Sequence, residues 1–251
     1  MGAPASPDSE VRFTDSWASV HFDLLRGLAA IVVLLEHWRN LFFVDFPQLT
    51  EHKAWLAVPY VLSRAGHQSV VFFFVLSGFL VGGTVFRALH SGEWRWSEYL
   101  LRRVVRLWTV LLPALLLCLL WDRLGLLIGY APGLYGGRVP NHMTYNVIPA
   151  LTPHVFFGNL FFLQTIRCSV FGSDAALWSL ANEFWYYILF PLGCIALWPR
   201  VGWLRRVTCA AGFTAVAWFL PKGILLGFPI WFAGAALVKV PPLSLTSILG
   251  R

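Results

Sequence analysis

Residues 69–89 read SVVFFFVLSGFLVGGTVFRAL, an apolar stretch whose single charged residue, Arg87, lies near its end. A helix needs about 20 mostly apolar residues to cross the hydrocarbon core of a membrane. The apolar residues form a continuous run and do not alternate with polar ones, which favours a helix over a strand of a transmembrane barrel. The stretch therefore predicts a transmembrane helix.

Five other stretches resemble it in composition. They cover residues 21–38, 104–121, 177–198, 207–220 and 223–238. A shorter apolar run, 155–166, suits a re-entrant or interfacial helix better than a span. Together these runs predict an all-α fold, a polytopic transmembrane helix bundle of about six spans plus one short re-entrant or interfacial helix.

The overall composition also indicates a membrane protein. Of the 251 residues, 58% are hydrophobic and 12% are charged, whereas soluble domains contain about 45–50% and about 25%. A chain this apolar cannot bury all of its apolar side chains in one core, so the surplus must face lipid. We expect a cytoplasmic N-terminal segment at 1–20, one membrane domain at 21–240 and a short tail at 241–251.

The formal net charge of +7 comes mostly from arginines that lie between the apolar runs. The positive-inside rule assigns such arginines to cytoplasmic loops. If residues 155–166 do not cross the membrane, two Arg-rich loops fall on one side, as the rule prefers. These arginines are Arg87, Arg95, Arg102, Arg103, Arg106, Arg200, Arg205 and Arg206. They form no long basic stripe, so we expect no nucleic-acid binding.

The cysteines and histidines show no spacing that is typical of metal or disulfide sites. None of the four cysteines forms a CxxC pair, and none of the seven histidines belongs to an HExxH motif. We therefore expect no metal site, no disulfide framework and no tightly bound cofactor.

The first span contains ionisable residues that are candidates for chemistry. Arg26 lies in the apolar run, and Asp23 precedes it by three positions, close enough to pair with it. His37 follows Arg26 by 11 positions, which at about 100° per residue places both on one helix face, about 16 Å apart. His37 is suited to remove a hydroxyl proton near neutral pH. Alternatively, Arg26 snorkels to the cytoplasmic interface and His37 lies in the outer aromatic belt.

Three later spans carry further candidates. Arg103 and Arg106 open the third span, and they either grip phosphates through their planar guanidinium groups or simply mark the topology. Glu183 lies in the fourth span, where a carboxylate needs a partner. It could hold a histidine, bind an acceptor hydroxyl or pair structurally with an arginine. In the second span we interpret Ser77, Gly78, Gly82 and Gly83 as small residues that let another helix approach closely.

Four segments, in this order, resemble motifs of the membrane acyltransferase 3 family. They are FDLLRGLAAIVVLLEHW (22–38), VFFFVLSGFL (71–80), LLRRVVRLW (100–108) and WSLANEFWYYILFPL (178–192). The first segment matches the family's paired arginine and histidine at Arg26 and His37. The third is similar to its RxxR motif, at Arg103 and Arg106.

The fourth segment resembles the family's WSLxxExxFY signature. Trp178, Ser179, Glu183 and Tyr187 match it, and Tyr186 stands where phenylalanine is common. The resemblance as a whole covers residues 22–238, nearly the entire chain.

The resemblance implies an enzyme, an acyltransferase that transfers groups other than amino-acyl groups. The donor would be acyl-CoA, often acetyl-CoA, acting as a co-substrate from the cytoplasm. The acceptor would be a hydroxyl of an envelope polysaccharide, a glycan or another envelope molecule. The location would be a bacterial plasma membrane, with the lipid bilayer as a further partner.

The resemblance also implies roles for single residues. His37 would be the catalytic base, and Glu183 is the second catalytic candidate. Arg26, Arg103 and Arg106 would bind the donor. Residues of the signature, Trp178, Ser179 and Tyr187, would bind substrate.

Two alternatives stay open. Family members usually have more spans than the six counted here, so an inactive, truncated relative is one of them. The other is a transporter that uses Arg26, Glu183 and His37 as a polar pathway. Inverted repeats and broken helix pairs would favour a transporter, and the sequence shows neither.

Overall fold

The computed structural model describes residues 17–43, 46–129, 135–136 and 147–240. Eight α-helices run through them: α1 Trp17–Phe42, α2 Lys53–Ser63, α3 Gly66–Ser91, α4 Trp96–Ile128, α5 Pro153–Leu160, α6 Trp178–Leu197, α7 Trp203–Phe219 and α8 Lys222–Leu237. These residues contain no β-strand, only an isolated bridge between Gln164 and Cys168. The all-α prediction is confirmed. The chain divides into two compact units, Met1–Phe73 and Phe74–Arg251.

Three helical stretches of the described chain are long and apolar enough to cross a membrane. They are Lys53–Ser91, Trp96–Ile128 and Ala175–Leu197. Helix α8 is apolar but shorter. An integral membrane protein is therefore supported, and the count of six spans stays a prediction. Helix α5 has eight residues and is about 12 Å long, too short to cross a core of about 30 Å.

Two helices differ from the sequence prediction. Helix α4 begins at Trp96 and not near residue 104, because charged residues extend it beyond the apolar run. Arg95 pairs with Glu98 at 2.7 Å, and Arg102 pairs with the same carboxylate at 3.9 Å. Such pairs, three or four residues apart, stabilise a helix. Helix α2 lies between the predicted spans 21–38 and 69–89, where the sequence predicted no helix.

Helices α3 and α8 pack closely through small residues. A Cβ atom at Gly78 would lie 1.9 Å from the Trp231 carbonyl oxygen, and one at Gly82 would lie 2.9 Å from Ala235. On the other helix, a Cβ atom at Gly234 would lie 1.9 Å from the Val75 carbonyl oxygen. The prediction that small residues of the second span allow close approach is confirmed for Gly78 and Gly82.

A buried carboxylate anchors the segment that leads into α6. Asp122 of α4 accepts hydrogen bonds from the backbone nitrogen and the hydroxyl of Ser173, both at 2.8 Å. The preceding residue, Gly172, has φ +57°, and a Cβ atom there would lie 2.3 Å from the Asp122 carboxylate. Glycine is therefore required at this position by both conformation and space. The start of α6, which carries the candidate site, is fixed to α4 in this way.

Candidate active site

Glu183 projects from α6 into a cluster of polar side chains inside an apolar part of the second unit. Its Oε1 atom accepts a hydrogen bond from Ser77 Oγ at 2.7 Å and another from the Tyr187 hydroxyl. Tyr187 follows Glu183 by one helical turn, so the two side chains lie on the same face of α6. No described residue donates a hydrogen bond to the other oxygen, Oε2. One oxygen is thus held in place and the other is available to a ligand.

Ser77 connects α3 and α8 to this carboxylate. Trp231 Nε1 donates to Ser77 Oγ at 3.2 Å, and the Ser77 and Tyr187 hydroxyl oxygens are 3.3 Å apart. Both Ser77 and Trp231 are buried. Because Ser77 accepts from Trp231, its own hydrogen is directed toward Glu183. We call Ser77, Glu183, Tyr187 and Trp231 the Glu183 cluster.

A proline in α6 explains how α4 is held against the cluster. Pro191 has no N–H, so the carbonyl of Tyr187, four residues earlier, lacks its helical donor. The Tyr99 hydroxyl of α4 donates to that carbonyl at 3.0 Å. A buried carbonyl therefore finds a partner, and the two helices are joined directly beside Tyr187.

Arg103 lies next to the cluster on α4. Its guanidinium carbon is 5.5 Å from the Tyr99 ring centroid and 5.6 Å from the Tyr187 ring centroid. Both distances are within the range of a cation–π interaction, about 6 Å. Its Nε atom is buried and has no hydrogen-bond partner in the described chain. The cation is therefore held by aromatic rings and not by a carboxylate.

The neighbouring arginines on α4 are more exposed. Arg106 is exposed, and Arg102 is exposed and bound to Glu98. Arg102 and Arg103 line a pocket of about 110 Å³, and the carboxylates Glu93 and Glu98 line it as well. Ligand pockets usually have volumes of about 300–1,000 Å³. This pocket could hold only a part of a large donor.

The first unit contains two further predicted site residues, Arg26 and His37. Helix α1 runs without a break through Arg26 and His37, so the predicted axial spacing is retained. The predicted pair is confirmed: Arg26 Nη1 lies 3.4 Å from Asp23 Oδ1. His37 is exposed and has no hydrogen bond to any described residue. Glu36, its neighbour, instead lies against Gly66, the first residue of α3.

The remaining signature residues differ in what they contact. The Trp178 ring meets the Phe74 ring edge-on, with centroids 6.1 Å apart. The Ser179 hydroxyl donates to the Ala176 carbonyl at 2.9 Å, which helps to close the first turn of α6. Tyr187 alone among the predicted substrate ligands belongs to the Glu183 cluster. The substrate-binding roles of Trp178 and Ser179 stay predictions.

Two members of the cluster are not predicted from the sequence as site residues. The pattern around Ser77 indicates only close packing, and nothing in the sequence distinguishes Trp231 from the other tryptophans. Both residues carry a polar atom within an apolar helix. Such atoms must find hydrogen-bond partners among themselves, and this indicates a shared cluster. No described group of three or more His, Cys, Asp and Glu side chains is placed to hold a metal ion.

A comparison with models of protein families identifies the family of the chain. A family model described as an acyltransferase domain matches residues 20–248. The chain belongs to the acyltransferase 3 family. No curated protein matches it significantly, and no solved structure does.

Membership in the acyltransferase 3 family shows the general activity. The protein is a membrane acyltransferase that transfers groups other than amino-acyl groups. The family match extends over both units, and it includes Arg26 and His37 of α1 as well as Glu183 of α6.

Proposed function

We propose that the protein transfers an acyl group, most simply acetyl, from acyl-CoA to a hydroxyl of a carbohydrate or another cell-envelope acceptor. The membrane would be a bacterial plasma membrane. The observation that carries the proposal is the Glu183 carboxylate. A carboxylate is costly in an apolar helix unless it has a function or a partner. Here Ser77 and Tyr187 hold one oxygen, and the second is left to bind a hydroxyl of the acceptor.

Arginine side chains would bind the phosphates of the donor. Arg103 and Arg106 lie one turn apart at the start of α4, and no described carboxylate forms an ion pair with either. Arg26 of the first unit stays a predicted donor ligand through the family motif that it matches. Because the donor is cytoplasmic, this assignment requires the start of α4 to face the cytoplasm, as the positive-inside rule predicts. The pocket beside Arg103 would take one end of the donor.

The transfer itself is the attack of a hydroxyl on a thioester. His37 takes the hydroxyl proton, the oxygen bonds to the carbonyl carbon, and the carbon–sulfur bond breaks. The CoA thiolate leaves and receives a proton in turn. The exposed imidazole of His37, which no described residue hydrogen-bonds, is free to accept the proton. A positioned general base contributes about 10²–10⁴-fold to such a step.

The proposal is tested with purified protein in nanodiscs, acetyl-CoA carrying a radiolabelled acetyl group, and a panel of oligosaccharide acceptors. We expect release of free CoA and labelling of an acceptor, with the label lost after mild alkaline hydrolysis of an ester. Arg103→Ala should weaken donor binding by about 10-fold or more. Arg200→Ala, which removes an exposed arginine after α6, should not.

Two results would contradict the proposal. One is acceptor labelling that resists alkaline hydrolysis, since this would indicate an amide and not an ester. The other is a fully active Arg103→Ala protein with unchanged acetyl-CoA affinity, which would leave Arg103 only a role in packing and topology.

A further inference from the structure

The end of α1 and the neighbouring helix α2 line two adjoining, open cavities in the first unit. The larger has a volume of about 420 Å³, and its lining includes Arg39, Ala57, Tyr60 and Arg64. The smaller has a volume of about 330 Å³. Arg39 and Tyr60 line both, so the two cavities meet at these residues. Each volume falls within the range that is usual for ligand sites, about 300–1,000 Å³.

The larger cavity is lined by two arginines that form no ion pair with any described residue. Arg39 donates to the Tyr60 carbonyl at 3.3 Å, to Ser63 Oγ at 3.1 Å and to Asn40 Oδ1 at 2.8 Å, all of them neutral acceptors. A guanidinium has five N–H donors, so Arg39 retains donors for a ligand. Arg64 is exposed. Among the described residues, no carboxylate forms an ion pair with either arginine.

The smaller cavity is apolar. Its lining includes Leu35, Trp38, Leu56 and Leu62, and three of these side chains are substantially exposed, with Leu35 at 42%, Trp38 at 51% and Leu62 at 64%. This open groove of hydrocarbon character lies next to the cationic cavity, because Arg39 and Tyr60 line both.

We propose that the two cavities bind one lipid with a phosphate in its head group. The phosphate lies between Arg39 and Arg64, and the first carbons of the chain lie in the groove beside Trp38. Arginine suits phosphate because its planar fork donates two hydrogen bonds in parallel. A cation at a helix C-terminus is favourable in itself. This helix-end effect accounts for each arginine by itself. It does not explain why both arginines line one cavity, or why an apolar groove lies beside that cavity.

The test is a binding measurement, which does not depend on transfer activity. Purified full-length protein in a neutral detergent is titrated by calorimetry with dioctanoyl phosphatidic acid. Dioctanoylglycerol lacks the phosphate, and glycerol 3-phosphate lacks the chains. We expect saturable binding of phosphatidic acid, and binding of the two partial ligands that is weaker by about tenfold or more.

Variants identify the cavity as the site. Arg64→Gln removes one charge at an exposed position, and Ala57→Trp fills the cationic cavity without changing its charge. Each should weaken phosphatidic acid binding by about tenfold or more. Arg200→Gln, the matched change at an exposed arginine of the other unit, should leave it unchanged. Arg39 is not replaced, because its hydrogen bonds to Tyr60 and Ser63 hold α2.

Several outcomes would overturn the proposal. If glycerol 3-phosphate binds as tightly as phosphatidic acid, the site recognises a soluble anion and not a lipid. If dioctanoylglycerol binds as tightly, the arginines do not take part. If Arg64→Gln and Ala57→Trp both bind phosphatidic acid like the unaltered protein, the lipid lies elsewhere.

Discussion

Replacing Ser77 by alanine removes the hydroxyl at the centre of the Glu183 cluster. Two interactions are lost at once: the 2.7 Å hydrogen bond to Glu183 Oε1 and the acceptor for Trp231 Nε1. A hydrogen bond to a charged group contributes about 1.5–3 kcal/mol, and a buried donor without a partner costs about 1–3 kcal/mol. Hydrogen bonds between membrane helices contribute less on average, about 0.6 kcal/mol. Because the acceptor here is a carboxylate, we expect Ser77→Ala to lower the free energy of unfolding by about 1.5–3 kcal/mol.

The measurement is unfolding by sodium dodecyl sulfate in mixed micelles, followed by tryptophan fluorescence. Ser69→Ala is the matched control, because Ser69 lies on the same helix and its hydroxyl only donates to the carbonyl of Ala65, one turn earlier. We expect the control to change stability by less than about 0.5 kcal/mol. Ser77→Thr, which keeps the hydroxyl, should lose less activity than Ser77→Ala.

The competing interpretation is that Ser77 is only a small residue at a helix contact. Alanine is equally small, so that interpretation predicts equal stability for Ser77→Ala and the unaltered protein. If both stability and transfer activity are unchanged in Ser77→Ala, the cluster does not hold Glu183, and the reasoning fails.

Three further predictions concern packing and topology. Gly78→Val should prevent stable folding because a Cβ atom there would overlap the backbone of α8. Gly83→Ala should unfold like the unaltered protein, since a Cβ atom at Gly83 would lie 3.9 Å from the Val238 side chain. Detergent melting curves compare the two variants, and a stable Gly78→Val protein would refute the packing. Asp122→Asn keeps the shape but loses an acceptor for the loop before α6, so the free energy of unfolding should fall by about 1–3 kcal/mol, and an unchanged melting curve would refute this role. Cysteines at Gly92 and Gly202 should both resist an impermeant thiol reagent in intact cells, and labelling of only one would show that residues 155–166 cross the membrane.

The sequence predicted most helices because long apolar runs require them in a membrane. The run at 177–198 agrees closely with α6, and the run at 223–238 with α8. The start of α4 was placed too late, because its first turns are stabilised by ion pairs of Glu98, which an apolar pattern does not detect. Helix α2 was not predicted, since its segment lies between apolar runs and contains Pro59.

The candidate site was predicted residue by residue but not as an arrangement. Glu183 and Tyr187 are one turn apart, so their contact follows from helix periodicity. The contacts of Ser77 with Glu183 and Trp231 join residues separated by 106 and 154 positions. Helix periodicity cannot place such residues together, because their meeting depends on the close packing of three helices. Arg103 was expected to serve phosphates, and its position beside two tyrosine rings depends on the same packing.

The most direct test of the account is the rate of acetyl transfer from acetyl-CoA by His37→Gln protein. Glutamine keeps a polar side chain of similar reach but cannot act as a base near neutral pH. We expect transfer to an acceptor hydroxyl to fall by about 10²–10⁴-fold, while acetyl-CoA affinity and the unfolding curve stay those of the unaltered protein. Full transfer activity in His37→Gln would contradict the assignment of the base, and Glu183 would then be the residue to replace next.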